Sequence, residues 1–151
     1  MAKRFELIVF DWDGTLMDSA AAIVRAIQAA SADLGLPVPT DARARHVIGL
    51  GLVDALRHAV PELAEKDYPA MVERFRHHYL SGDHELALFE GTHALIESLH
   101  GQGYSLAVAT GKSRKGLARA LEFSGLGRFF HATRCADECF SRPHPAMLEE
   151  L

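Results

Sequence analysis

The stretch FELIVFDWDGTLMDS, residues 5–19, decides the fold. Phe5 to Phe10 is an apolar, β-branched run that stops abruptly at Asp11, and the acidic DWDGT that follows carries a glycine, which reads as a buried strand entering a loop. From Ser19 the period changes to that of a helix, with Ile23, Ile27, Ala30 and Leu34 on one face, Asp18 or Ser19 able to cap its start and Gly35 with Pro37 closing it. A strand that ends in carboxylates and leads into a helix is the opening unit of a parallel sheet.

Reading outward, three more helical patterns follow without an intervening strand. Thr40 caps one that ends at Gly49; Leu52, Leu56 and Ala59 mark another before Pro61; Tyr68, Met71, Val72, Phe75 and Tyr79 mark a third running to Gly82. After Phe89 and Gly91 the pattern alternates. Thr92 starts a helix carrying Leu95, Ile96 and Leu99, Tyr104 to Ala109 (YSLAVA) is a second buried strand, and a helix with Leu117 and Leu121 stops at Gly125. A weaker strand lies around His131 to Arg134, and Pro143 with Pro145 opens a last helix that runs to Leu151. The implied architecture is an α/β core of residues 1–14 and 89–151 with an all-helical insert, residues 15–88. Ligands on such sheets sit outside the carboxyl ends of the strands, where both polar clusters, DWDGT and TGKS, fall.

Composition narrows the chemistry by exclusion. The 151 residues are 48% apolar and 24% charged, with a formal charge of −4. No apolar run approaches the ~18 residues of a membrane span, and MAKRFE is not followed by a signal-peptide core, so the cytoplasm is the expected compartment. Two cysteines, Cys135 and Cys139, cannot build a disulfide framework. Without a basic block, a nucleic-acid partner is not expected.

Asp11, Asp13 and Asp18 crowd one strand end, and clustered carboxylates repel unless something positive intervenes. Hard oxygen donors with room for water suit Mg²⁺, which arrives with phosphate. Asp18 reads better as a helix cap than as part of that site.

Residues 11–19, DWDGTLMDS, resemble the first motif of the haloacid dehalogenase-like hydrolase superfamily. Thr110 and Gly111, at the end of YSLAVA, resemble its second motif, and the insert is similar to the small helical cap of the phosphoglycolate phosphatase branch. The resemblance implies a Rossmann-like core, Mg²⁺ held at Asp11 and Asp13, and phosphomonoester hydrolysis through an aspartyl phosphate. On that reading Asp11 attacks phosphorus, and Asp13 protonates the departing alkoxide and later takes a proton from water. Thr110, Gly111 and adjacent amides hold the phosphoryl oxygens. Asp13 favours phosphate chemistry over carbon–halogen cleavage, which does not need a second aspartate. In the insert Arg45, His46, Gly49 and Gly51, within RHVIGLG, resemble the loop that faces the substrate; a glycine turn between packed helices is the competing reading.

Two positions depart from the family pattern. The lysine of the third motif is replaced by Arg142 in SRPHP, which keeps the positive charge on a longer, planar group. The acidic fourth motif, which supplies another metal ligand, has no counterpart. Glu149 and Glu150 lie at solvated-face spacing, so the last strands of the sheet read as missing and the chain as truncated. A core of this size, under roughly 80 residues, seldom supplies more than a few kcal/mol. The alternatives are therefore a non-catalytic or weakly active fragment that keeps part of a phosphate site, and a phosphomutase whose cap keeps water out.

Other signals are weaker. GKS at 111–113 lacks the first P-loop glycine, since position 106 is leucine. A receiver domain has no place for the insert. His131, Cys135, Cys139 and His144 lack zinc-ribbon spacing, and His77, His78 and His84 read as a solvated helix end and loop. Lys66, the only lysine of the insert, lies outside the RHVIGLG loop, which argues against Schiff-base chemistry. The expected partner is a small phosphorylated metabolite, with no nucleic acid and no membrane.

Overall fold

β1 (Leu7–Phe10) pairs in parallel with β2 (Ser105–Ala109), and β2 pairs in parallel with β3 (Ala132–Arg134), in the computed structural model, which describes residues 2–82 and 86–151. The sheet order is β1-β2-β3. The register sets Phe10 opposite Val108 and Ala109 opposite Arg134, so the chain leaves β1, β2 and β3 at the same end of the sheet. β2, between two partners, buries Leu106, Ala107 and Val108 completely. β1 is only half-buried and starts at Leu7 rather than Phe5, because the described residues give it a partner on one side alone. Its apolar run predicts a buried strand; among the described residues it is an edge.

α1 (Ala20–Asp33), α2 (Asp41–His46), α3 (Leu52–Ala59) and α4 (Tyr68–Gly82) follow β1 in succession. The Thr40 hydroxyl caps α2 by accepting the Arg43 N–H. α2 ends at His46, three residues before Gly49, where the backbone turns into an irregular loop with Gly49 at φ +106°. Val24, Ile27, Leu56, Met71 and their neighbours form one apolar cluster within these helices.

α5 (Thr92–Gly101), α6 (Arg114–Ser124) and α7 (Ala146–Glu149) accompany the sheet. Ser113 caps α6 by accepting the Gly116 N–H, and Gly125 ends it in the left-handed conformation. α7 stops before Leu151. A second apolar cluster gathers Trp12, Leu16, Met17, Ile96, Leu106, Val108, Leu117 and Leu126. The two connections between sheet and insert run side by side, tied by Asp18 N–H to Ala87 O at 2.9 Å and Phe89 N–H to Leu16 O at 3.0 Å. No helix among the described residues is long and apolar enough to cross a membrane.

Candidate active site

The loop after β1 is a tight turn built on one acceptor. The Trp12 carbonyl takes the N–H groups of Thr15, Leu16 and Met17, while Gly14, at φ +76°, supplies the left-handed residue the turn requires. The turn fixes Asp11 and Asp13 at the carboxyl end of the sheet. Asp11 Oδ1 accepts the Trp12 N–H at 2.8 Å and Arg142 Nη2 at 2.9 Å, so Arg142 reaches it across 131 positions of sequence. Asp13 Oδ1 accepts the Ser19 hydroxyl at 2.7 Å, and Asp13 Oδ2 lies 3.3 Å from Lys112 Nζ.

Two carboxylates thus face two cations. The Asp13–Lys112 pair is the more enclosed, with side-chain exposures of 12% and 13%. Burial works against the Lys112 charge, but Asp13 and the Tyr79 hydroxyl outweigh it and hold the ammonium above the usual lysine range. Arg142 Nε, by contrast, is buried without a hydrogen-bond partner among the described residues. A buried donor left unpaired beside a carboxylate costs free energy unless an acceptor arrives. A phosphate oxygen is an acceptor of that kind.

Thr110 is buried at the end of β2, and its hydroxyl accepts the Lys112 N–H at 3.1 Å. A hydroxyl that accepts in this way keeps its own hydrogen to donate. Gly111 lies under the insert: a Cβ there would overlap the Leu50 carbonyl oxygen and come within 2.8 Å of that of Gly49. Gly49 packs in turn on the Arg142 guanidinium, which a Cβ at position 49 would meet at 3.3 Å, and Gly51 packs on Ser141. Of the four RHVIGLG residues singled out, the structure brings Gly49 and Gly51 onto the core loops and leaves Arg45 and His46 exposed at the end of α2.

Three residues of this site are not expected from sequence. Ser19 occupies the cap position of α1, but its hydroxyl turns to Asp13 instead of capping the helix. Lys112 stands beside Thr110 and Gly111 in TGKS, a signal that could have drawn it into the site. Tyr79 reads as part of a helix face, and nothing local marks its hydroxyl as a partner of Lys112. Asp18 is exposed and takes no part in the Asp11–Asp13 pair. The loop that delivers Arg142 is braced to α6: Arg114 N–H donates to Asp137 at 2.9 Å, and its guanidinium bonds Thr133 and Glu138. Cys135, fully buried, has its thiol pushed up to about 12 by burial, which leaves it inert. His84 lies outside the described residues.

Among the described residues no group of three or more His, Cys, Asp or Glu side chains could hold a metal by itself. The donors present are hard oxygens, the carboxylate of Asp11 and the main-chain carbonyl of Asp13, whose own carboxylate oxygens are engaged by Ser19 and Lys112. Mg²⁺ is commonly bound through one or two carboxylates with substrate phosphate and water completing its shell, and the pair fits that mode.

The family model of haloacid dehalogenase-like hydrolases matches residues 8–151. The phosphoglycolate phosphatase of Aliivibrio fischeri is 32% identical over 160 residues, an alignment that covers all of this chain and 70% of that protein. The 5'-nucleotidase of Pseudomonas aeruginosa is 38% identical over 114 residues, covering 74% of this chain; the chain spans half the length of that relative. Among solved structures, a predicted phosphoglycolate phosphatase of Haemophilus somnus superposes with a TM-score of 0.84 at 29% identity, covering 99% of this chain and 71% of that one.

Proposed function

Because the chain belongs to the haloacid dehalogenase-like hydrolase family, we propose that it hydrolyses small phosphomonoesters through a phosphoryl group carried on Asp11. The observation that carries this reading is the pairing of Asp11 with Arg142, whose buried Nε is left for a further acceptor. Arg142, Thr110 and the main chain at Gly111 hold the phosphoryl oxygens, and the phosphorus sits in line with the Asp11 carboxylate. The Asp11 oxygen bonds to phosphorus as the ester oxygen departs, and Asp13, having taken the proton of the bound phosphomonoester monoanion, passes it to that oxygen. Asp13, then a carboxylate, takes a proton from the water that releases phosphate and restores Asp11. Asp11 and the main-chain carbonyl of Asp13 would hold Mg²⁺, which when bound would neutralise charge on the phosphate. The insert, seated on Gly111 and Arg142 through Gly49 to Gly51, limits water at the reacting centre. A small phosphorylated metabolite is the partner and the cytoplasm the compartment on this reading.

The test is release of inorganic phosphate from a panel of phosphomonoesters with and without Mg²⁺. The wild-type chain releases phosphate only with the metal, and Asp11→Asn lowers the rate by about 10³-fold or more; equal release by the variant removes Asp11 as nucleophile. A second reading, a phosphate-binding remnant without turnover, is favoured by arginine at position 142, where the family pattern has lysine. It predicts phosphate binding to both proteins and release by neither.

A further inference from the structure

Both oxygens of Asp13 are spoken for, and the two partners differ in where they stand. Ser19, fully buried, holds Oδ1 on the interior side. Lys112 holds Oδ2, and the same ammonium lies 3.3 Å from the Tyr79 hydroxyl and 5.0 Å from the centre of its ring. Tyr79 belongs to α4 of the insert, and its ring is set by stacking on Phe75, one turn earlier, at 5.7 Å and 11°. The oxygen of Asp13 that meets the seam between core and insert is therefore Oδ2. An ammonium has three donors; among the described residues Asp13 and Tyr79 engage two.

We propose that Lys112 is a leaving-group residue, suspended from the insert by Tyr79, whose remaining N–H stabilises the departing ester oxygen beside Asp13 Oδ2. The inference rests on the phosphomonoesterase reading above, in which Asp13 serves the leaving group, and extends it to a residue outside the matched motifs. In the step concerned the P–O ester bond breaks, its electron pair stays on the departing oxygen, and the proton from Asp13 goes to that oxygen. Lys112 keeps all its protons and contributes a fixed positive charge where negative charge develops. The Lys112 main-chain N–H on Thr110 fixes the root of the side chain in the phosphate loop. One residue thus joins the phosphoryl end of the site to the insert that covers the alcohol.

The experiment compares an alkyl phosphomonoester, whose alkoxide needs stabilising, with 4-nitrophenyl phosphate, whose phenolate does not. For Lys112→Met the loss of kcat on the alkyl ester exceeds the loss on the aryl ester by about tenfold or more. Lys112→Arg recovers part of the difference. Tyr79→Phe, which removes a single hydroxyl, shows a smaller loss of the same sign and carries the test if Lys112→Met does not fold, as judged by its thermal transition. Equal losses on the two esters overturn the proposal, since they mark Lys112 as support for the fold or the phosphate alone. Equal rates in wild type and variants overturn it too. If the wild type releases phosphate from neither ester, the phosphomonoesterase reading falls and the inference with it; activity that survives Asp11→Asn identifies failure of that reading separately.

Discussion

Arg142 engages Asp11 with one nitrogen while its Nε stays buried and unpaired among the described residues, so the guanidinium uses little of its fork. A lysine ammonium could keep the ion pair as a compact point charge, but it has no Nε to offer a phosphoryl oxygen. Arg142→Lys is therefore expected to lower turnover, read as kcat on the best substrate of the panel; an unchanged or higher rate shows that Nε takes no part in holding the phosphate. Asp13 poses the opposite case. It is enclosed with Ser19 and Lys112, so breaking the ion pair from either side leaves a charge with poor solvation.

At the scale of elements the site is a junction of four loops and one helix. The loops after β1 and β2 are legible because each of these strands is a short apolar run that ends in polar residues, and strand polarity alone brings such ends together; β3, Ala-Thr-Arg, carries a weaker signal. The helices of the insert are legible from their period. What the sequence does not reveal is which side chains meet across the seam, because a pair such as Lys112 and Tyr79 leaves no trace in local periodicity. Ser19 misleads for a related reason: a serine before a helix signals a cap, and here the tertiary partner Asp13 wins its hydroxyl. RHVIGLG leaves two readings open, substrate loop or packed turn. The structure seats its glycines on Arg142 and Ser141, while Arg45 and His46 stay in solvent. Gly111 gives the test for this element. A methyl group there collides with the Leu50 carbonyl, so Gly111→Ala must displace the loop that covers the site. Misplacement by about 1 Å can cost 10²-fold in rate. We expect a loss of that order in kcat/KM together with a lowered thermal transition, since backbone atoms must give way; full activity would show that the loop does not need to seat on Gly111.

For the molecule as a whole, the apolar side chains gather in two clusters, one inside the helical insert and one around the sheet, and the candidate site lies on the seam between them. Such an arrangement allows the insert to move without opening either core. β1, which carries Asp11 at its end, is an edge strand among the described residues, with Leu7 40% and Phe5 63% exposed. An edge with apolar flanks templates pairing with another chain. Sedimentation is therefore expected to show concentration-dependent association that Leu7→Lys reduces, whereas a wild-type monomer at every concentration would show that the edge is protected. Covalent chemistry at position 11 is the step on which the proposed hydrolysis depends. Borohydride quenching during turnover reduces an aspartyl phosphate to homoserine, which peptide mass spectrometry locates. Homoserine is expected at position 11 and nowhere else; phosphate release with Asp11 unmodified, or homoserine at position 13, would contradict a phosphoryl group carried on Asp11.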